Sequence, residues 1–589
     1  MPDAAKVSPP AAWRVWANPI FRRYCRSRLR ARGLLPSLIV TLVLASFAYI
    51  ITPMVIERTS EARIQYHQYM EEQAQKGREG KKNFDRYMET QQNFGLDPAR
   101  LHEPHIYQRA ALIPLLLLQA LILFVLGTGQ VAGGMTGERD EGMVDYQRLT
   151  PITPLAKVLG YLMGLPVREW VLFLSTLPFT ALALWRGQVP FDAWWPVALI
   201  FFTSVMLYHL TGLTTGTVMK SRRWAFLLCM ALIFVIYFLV PQSSRYGLPF
   251  MRYVTMWPVV MDSAHIFPEE QIRAWRFFAS IPRDSSGVDF FKWRFSDIAF
   301  TLLVQGSFIL TLLVMVWRKW RVADSHLLSK AWAILVFAWL AVLQLGNALP
   351  GIEDGSLFPT SIRQLLQNEP GQPQLEDVLR MSALYGVLLL LLLMAFIVML
   401  TPSHDTQSRG LRRAAKLGRV RAPFFADESS AFHVVLLLTA AGAGAWAWFT
   451  RTVLGSHWFQ NDPGVGTFFI FFAVLAPAAL GLHAMMESRG GKWPFLAVIF
   501  LGVVPILASA IVLASSRNTT AEATTVAGAS PIALTAYAVE QVIPFRNTRY
   551  LQSPFHIAAG PALIGWSALY STAAVVLMVS LRRHWKGKK

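Results

Sequence analysis

Two pairs of histidine and carboxylate residues in the chain have the residue types needed for general acid–base chemistry. Asp262 precedes His265 by three residues, and His404 stands next to Asp405. Neither pair has a third group at a spacing that would orient a base or activate a nucleophile. We therefore expect a non-catalytic protein, with an intramembrane enzyme as the least favoured alternative.

Nucleotide, metal and disulfide chemistry also lack their usual sequence patterns. The fragments Gly80-Lys81-Lys82 and Gly491-Lys492-Trp493 miss the hydroxyl residue and the glycine spacing with which a phosphate-binding loop holds phosphates. The two cysteines, Cys25 and Cys229, lie in a basic leader and in an apolar run, so they predict neither a disulfide framework nor a metal site. We expect no cofactor and no metal in this chain.

Polar residues inside the apolar runs are few, which disfavours an ion-coupled carrier, because such a carrier buries a carboxylate or a histidine to bind its ion. Arg168 and Glu169 lie near one end of a run and are expected to pair with each other or to reach the membrane interface. His209 and His483 stand alone, which favours hydrogen-bonded structural roles. Four glutamines are expected to join helices: Gln119, Gln130, Gln305 and Gln344.

Composition predicts the helices that must position all of these residues. Hydrophobic residues make up 54% of the chain, charged residues make up 15%, and the mean hydropathy is +0.39. A helix crosses hydrocarbon of about 30 Å with roughly 20 apolar residues. We therefore predict an all-α polytopic integral membrane protein, whose approximately twelve spans cover 34–56, 110–135, 167–186, 194–218, 224–241, 297–317, 331–349, 381–401, 432–450, 465–486, 493–515 and 557–581.

The net charge of +20 is distributed as in an integral membrane protein. We expect the chain to lie in the plasma membrane, that is, the inner membrane of a bacterium. Clusters of Arg and Lys precede the first predicted span and follow the fourth, sixth, eighth, tenth and last spans. All of them fall on one side, which the positive-inside rule makes cytoplasmic. Both termini are therefore predicted to be cytoplasmic. Because topology accounts for the charge, no nucleic-acid partner is expected.

The first six predicted spans follow a basic leader, residues 1–33. Within it, 13–32 is expected to form an amphipathic helix on membrane lipid, with a disordered tail as the alternative. Residues 34–325 form the first six-helix half and include two outer segments. We expect a helical hairpin in 57–108, and short interfacial or re-entrant helices in 242–296.

The last six predicted spans form the second six-helix half, residues 326–589, which is a degenerate repeat of the first. The turn at 216–227 is similar to the turn at 485–496, and the two occupy equivalent places in the two halves. The stretch 402–430, in contrast, holds Arg412-Arg413-Ala414-Ala415-Lys416 where the first half has an acidic and basic turn. The second half therefore lacks a matching copy of that turn.

That charged turn stands between the second and third predicted spans. It reads Gly137-Glu138-Arg139-Asp140-Glu141-Gly142 and is followed by Leu149-Thr150-Pro151-Ile152-Thr153-Pro154. Gly142 relieves backbone strain, the two Thr-Pro pairs mark turns or helix starts, and the charges keep the segment out of lipid. A solvated loop would explain the charges alone. Their order and their place in the topology favour a rigid element that transmits force.

The turn and the topology together resemble the permease subunits of ATP-binding-cassette (ABC) exporters of the type-2 class. Those permeases show a pattern similar to Glu-Arg-x-x-Gly-Thr…Leu-x-x-x-Pro after the second span, although Met143 stands here where threonine is usual. The resemblance covers residues 1–325. It implies that the coupling interface to a separate ATPase subunit comprises Glu138, Arg139, Asp140, Glu141, Gly142, Thr150, Pro151 and Pro154.

The resemblance also implies the partners of the chain. A cytoplasmic ABC ATPase subunit would hold ATP and Mg, and this chain would couple their chemistry to the export of an unidentified substrate. Membrane lipid and either a second copy or a second permease are further expected partners, unless residues 326–589 complete the pair within one chain. A non-transporting membrane scaffold or assembly protein is the alternative from another class.

Overall fold

Twelve helices in the described part of the computed structural model are long and apolar enough to cross a membrane. The structure describes residues 13–93, 104–268, 271, 287–322, 325–358, 373–419, 422–488, 493–515, 519–544 and 553–586. Each of the twelve helices contains most or all of one predicted apolar run. The prediction of an all-α polytopic membrane protein is therefore confirmed.

The chain folds as two compact units, of which the first comprises residues 1–242, 251–288 and 295–323. Short 3₁₀ turns lie at Val15–Ala17, Pro249–Val254 and Ala264–Ile266. The helices of this part of the chain are α1 (Pro19–Arg28), α2 (Ala31–Gln75), α3 (Arg78–Asn93), α4 (His105–Asp140), α5 (Met143–Arg148), α6 (Pro154–Gly164), α7 (Val167–Arg186), α8 (Phe191–Val218), α9 (Arg222–Ser243), α10 (Trp257–Asp262) and α11 (Asp297–Arg321).

The second unit comprises residues 243–250, 289–294 and 324–589. A short antiparallel pair of strands, β1 (Val288–Phe290) and β2 (Trp293–Phe295), precedes α11 in the chain and was not predicted. The helices of the second unit are α12 (Lys330–Glu353), α13 (Leu375–Leu400), α14 (His404–Lys416), α15 (Phe432–Gly455), α16 (Gly466–Ser488), α17 (Trp493–Gly502), α18 (Val504–Ser515), α19 (Thr520–Ala527), α20 (Pro531–Glu540) and α21 (Pro554–Lys586).

The amphipathic leader helix is present as α1, and its apolar face packs on the protein. Asn18 caps the helix by accepting a hydrogen bond from the backbone N–H of Ile20 at 3.0 Å, and Pro19 occupies the first helical position. Ile20 and Tyr24 are buried, and the Asn18 amide donates to the carbonyl of Ala156 on α6 at 2.6 Å. The helix is thereby fixed to α6.

Two sides of the first unit are distinguished by the elements at the ends of its spans. We call the basic side the one that carries α1, α5 and α6, and the far side the one that carries α3. On the far side, α2 and α3 form an antiparallel helical hairpin in which Tyr66 and Tyr87 pack edge to face. The helical prediction for 57–108 is confirmed over these two helices, and residues 94–103 lie outside the described part.

The two units share part of their order of elements. In each, a short helix follows the second span (α5 and α14), and short helices lie between the fifth and sixth spans (α10 in one unit, α19 and α20 in the other). Within 242–296, where short helices were predicted, the structure has α10 and short 3₁₀ turns, and residues 269–270 and 272–286 lie outside the described part. α19 and α20 were not predicted, because helices of 8 and 10 residues are too short for a periodic pattern.

Candidate functional site

The charged turn predicted from the sequence folds as a helix end, a left-handed turn and a short helix. α4 runs through Glu138 and Arg139 to Asp140, and Gly142 then takes φ +71°, a conformation that side-chain-bearing residues disfavour. α5 follows for six residues. Thr153 next starts α6, because its Oγ1 accepts a hydrogen bond from the N–H of Ala156 at 3.3 Å. The chain therefore makes a compact protrusion between α4 and α6.

Glu138 faces inward and holds this protrusion against α1. Its carboxylate pairs with the guanidinium of Arg23 and accepts a hydrogen bond from the Tyr161 hydroxyl at 3.3 Å, and its side chain is 14% exposed. Burial, and then the negative charge of Glu138, raise the pKa of Tyr24 and of Tyr161 above the ordinary tyrosine value. Both phenols therefore stay neutral beside the carboxylate. Glu138 acts as a positioning residue within the chain.

Arg139 also turns inward, toward the end of α8. Its Nη1 donates to the carbonyl of Thr217 at 2.9 Å, and its Nη2 donates to the carbonyl of Met219. Carbonyls at the last turn of a helix have no partner within the helix, so a cation that binds them there is favourable. Arg139 therefore joins the end of α4 to the end of α8.

Two further cations fix the protrusion at its other end. Lys157 is almost fully buried, and its ammonium donates to the carbonyls of Thr150 at 3.3 Å and Arg148 at 3.5 Å. Burial, with a smaller contribution from Arg148, lowers the pKa of Lys157. Arg148 pairs with Asp145 and donates to the carbonyl of Lys319 at the end of α11, at 3.1 Å. α5 is thus tied to α6 and α11.

Other residues of the protrusion face outward and form what we call the tip, defined as Asp140, Glu141, Tyr146, Leu149 and Pro151. Leu149 is 85% exposed and Tyr146 is 65% exposed. Asp140, Glu141 and Pro151 are also exposed. Exposed large apolar side chains beside acidic ones are typical of protein–protein contact surfaces. The tip is the accessible part of a segment whose base is fixed.

Of the eight predicted interface residues, four are exposed and four are partly buried. Asp140, Glu141, Gly142 and Pro151 are exposed, whereas Glu138 and Arg139 bind other parts of the chain. Thr150 is partly buried and donates to the carbonyl of Gln147 at 2.7 Å, and Pro154 occupies the first helical position of α6. Tyr146 and Leu149 were missed, although their place in a charged segment gave a signal that they are not core residues.

In the second unit, a buried lysine organises the corresponding stretch. The ammonium of Lys330, at the start of α12, donates to the carbonyls of Ala426 at 2.9 Å and Ser429 at 2.7 Å, and to those of Phe424 and Ser430. The segment it holds, 422–431, exposes two adjacent aromatic rings, Phe424 and Phe425. This stretch is ordered by a mechanism similar to that of Lys157, but with different surface chemistry.

The polar residues within the spans mostly join neighbouring helices. The Gln119 amide donates to Thr176 at 3.0 Å and to Thr180 at 2.9 Å, which links α4 to α7. Gln305 on α11 accepts from Thr203 on α8 at 2.7 Å. Gln130 accepts from Arg28 at 3.1 Å, and Gln344 donates to the carbonyl of Gly247 at 2.5 Å. The predicted role of joining helices is therefore confirmed for Gln119, Gln130 and Gln305, whereas Gln344 joins its helix to a turn residue.

The titratable residues of the spans are likewise held by neighbours within the chain. Arg168 pairs with the fully buried Glu169 at 2.8 Å, as predicted. His209 lies 3.0 Å from the carbonyl of Leu123, in a π-helical segment of α4, and His483 lies 2.9 Å from the Thr401 hydroxyl. Among the residues that the structure describes, no group of three or more His, Cys, Asp or Glu side chains is arranged to hold a metal ion.

Comparisons with known proteins identify no relative of this chain. No protein-family model matches it. No curated protein and no solved structure matches it either. The fold alone therefore defines the class of the protein, which is a polytopic α-helical membrane protein.

Proposed function

We propose that this chain is the transmembrane permease subunit of an ATP-driven ABC exporter, and that the tip is where a separate ATPase subunit docks. The observation that carries the proposal is the division of the protrusion between α4 and α6. Its base is fixed to α1, α8 and α11 by Glu138, Arg139 and Arg148, while its tip is exposed. A displacement of the tip therefore moves the ends of several spans together.

The distribution of charge supports a cytoplasmic place for this protrusion. Arg22, Arg26 and Arg30 lie on the same side of the first unit, and basic residues concentrate on the cytoplasmic side of membrane proteins. An ATPase subunit that uses cellular ATP is also cytoplasmic. ATP and Mg would be bound by that subunit, and this chain would contribute the docking surface and the membrane passage.

The repeated order of elements supports a permease over a scaffold. Each unit contains six spans, at least one helix between the second and third spans, and at least one short helix between the fifth and sixth spans. A passage through a membrane is commonly built from two such repeats.

The test compares substitutions at the tip with matched substitutions on the far side. The tagged full-length chain is purified from its native membranes, and ABC-type ATPase subunits are quantified by mass spectrometry together with vanadate-sensitive ATP hydrolysis. Leu149→Asp and Glu141→Lys should lower both by roughly tenfold, since contacts at the centre of an interface dominate its stability. Phe191→Asp and Glu72→Lys, at exposed far-side positions, should change neither.

A photo-crosslinking experiment gives a second, independent measurement. A photoreactive amino acid at position 149 should crosslink to the ATPase subunit, whereas the same group at position 191 should not. The proposal is wrong if both positions behave alike, or if Leu149→Asp and Glu141→Lys leave ATPase recovery and ATP hydrolysis at the level of the unsubstituted chain. Recovery of the chain without any ATPase subunit would favour the scaffold alternative.

A further inference from the structure

The outer face of α1 carries exposed arginines and points away from the protein, although Arg22 donates through Nε to the carbonyl of Trp16 at 2.8 Å. The opposite, apolar face packs against the protein, since Ile20 and Tyr24 are buried. The packing against α6 is close, because a Cβ on Gly164 would lie 2.7 Å from the Tyr24 ring. Arg22 and Arg26 are one helical turn apart on the outer face, and both are exposed. α1 therefore presents its charge, and not its apolar residues, to the surroundings.

A shallow cavity of about 360 Å³, open to the surroundings, lies on this face along α1 and reaches Arg30, the residue before α2. Its lining consists of Pro19, Arg22, Arg23, Arg26, Ser27 and Arg30. Four of these six residues are arginines, and no described carboxylate lines the cavity. Only Arg23 pairs with an acid, Glu138. Like charges at this spacing repel each other, so an anion in the cavity would relieve the repulsion.

The guanidinium groups indicate which anion fits. Arginine presents a planar fork of N–H donors that binds phosphate in a bidentate manner, and it does so better than lysine. The Ser27 hydroxyl also lines the cavity but donates to the carbonyl of Tyr24 at 3.3 Å, so the arginines are the donors open to an anion. The chemistry of the cavity is therefore that of a phosphate site.

The position of the cavity favours the phosphate of a membrane lipid over free inorganic phosphate. Arg30 directly precedes α2, and Leu35 and Ile39 of α2 are already exposed apolar side chains of its membrane span. Leu35 lies five residues after Arg30, which is about 8 Å along a helix. Trp13 and Trp16, both 63% exposed, lie close by at the start of the described chain, and tryptophan favours the membrane–water interface.

We propose that the cavity lined by Arg22, Arg26 and Arg30 binds the phosphate of an anionic phospholipid headgroup, with the acyl chains lying along α2. The lipid would serve as the counter-ion of α1 and would fix the position of the elbow between α1 and α2 in the membrane. This site is separate from the tip, and the inference does not depend on the proposed function.

The test measures lipid binding to the full-length chain purified in detergent, by native mass spectrometry. The probes are phosphatidylglycerol and phosphatidylcholine with the same acyl chains. The unsubstituted chain should retain phosphatidylglycerol with a preference of roughly tenfold or more, because each arginine near an anionic headgroup adds to the affinity. The triple variant Arg22→Gln, Arg26→Gln, Arg30→Gln should lose that preference.

Two further variants control for net charge and for failure to fold, and inorganic phosphate is added as a competitor of the lipid. Arg223→Gln, Arg412→Gln, Lys416→Gln removes the same charge from exposed positions elsewhere and should keep the preference. Arg22→Lys, Arg26→Lys, Arg30→Lys keeps the charge and should lower the preference only in part, which covers the case in which the glutamine variant fails to fold. Inorganic phosphate in excess should not displace the lipid.

Three results would overturn the proposal. The first is an unchanged preference in the glutamine variant or, if that variant does not fold, in the lysine variant. The second is an equal loss in the variant altered at positions 223, 412 and 416, which would indicate a general effect of net charge. The third is complete displacement by inorganic phosphate, which would assign the cavity to a soluble anion.

Discussion

Arg23 on α1 and Glu138 at the end of α4 form an ion pair across 115 residues of sequence. The pair joins the leader helix to the protrusion that carries the tip. Because the Tyr161 hydroxyl also donates to Glu138, the carboxylate has partners on two elements. Its loss would loosen α1 and the protrusion together.

We expect Glu138→Gln to destabilise the folded chain by about 1–2 kcal/mol, since the ion pair with Arg23 is replaced by a weaker hydrogen bond from the guanidinium to a neutral amide. Thermal unfolding in detergent measures this change. Asp140→Asn, two residues further along and exposed, should stay within about 0.5 kcal/mol of the unsubstituted chain. Arg23→Gln should add little to Glu138→Gln, because the two changes remove the same interaction. Full additivity would contradict the pairing.

Gly142 is expected to resist substitution for a conformational reason alone. A Cβ there would meet no atom within 4 Å, but φ is +71°, so Gly142→Ala should cost about 1 kcal/mol of stability. Gly142→Asn should cost less, because asparagine tolerates this region better. Gly33→Ala is the matched control, since Gly33 also has open space but lies in helical α2. Thermal unfolding that shows the same cost at both glycines would refute this explanation.

Lys330 is expected to hold the segment 422–431 in the second unit. Lys330→Met would leave the carbonyls of Ala426 and Ser429 without their shared donor, at a cost of about 3 kcal/mol. Chymotrypsin should then cut after the exposed Phe424 or Phe425 more readily. Lys416→Met, an exposed lysine at the end of α14, serves as the control and should leave the cleavage rate unchanged. Equal cleavage in both variants would show that the segment does not depend on Lys330.

Gly386 on α13 is expected to be required for close packing against α15. A Cβ at Gly386 would lie 2.3 Å from the ring of Trp446, whose Nε1 also donates to the Ser382 carbonyl at 2.8 Å. Gly386→Ala should therefore destabilise the second unit by about 1–3 kcal/mol through overpacking. Gly444→Ala, on α15 itself but with no atom within 4 Å, should have little effect. Thermal unfolding distinguishes the two, and similar unfolding temperatures would argue against close packing at Gly386.

The spans could be predicted because lipid imposes a simple rule on the sequence. A helix in hydrocarbon needs about 20 apolar residues in a row, and the twelve runs that satisfy this requirement all form helices. The short helices α19 and α20 were not predicted, because a helix of 8 or 10 residues has too few turns to show a clear periodicity of apolar residues.

The orientation of the charged residues could not be predicted, because it depends on partners that are distant in the sequence. Glu138 and Arg139 are neighbours in the turn, yet one binds α1 and the other binds the carbonyl end of α8. Leu149 is apolar and was not assigned to the interface, although it is the most exposed large residue there. Sequence patterns identified the protrusion but not which of its side chains face outward.

The length of α2 has a mechanical consequence. The helix continues for 45 residues from Ala31 to Gln75, through Pro36 and Pro53, and so measures about 68 Å along its axis at 1.5 Å per residue. Hydrocarbon accounts for only about 30 Å of that length. A tilt of roughly ten degrees at the elbow would therefore swing the opposite end by about 12 Å. Small rotations of α2 on the basic side would therefore cause large displacements of the hairpin formed by α2 and α3 on the far side.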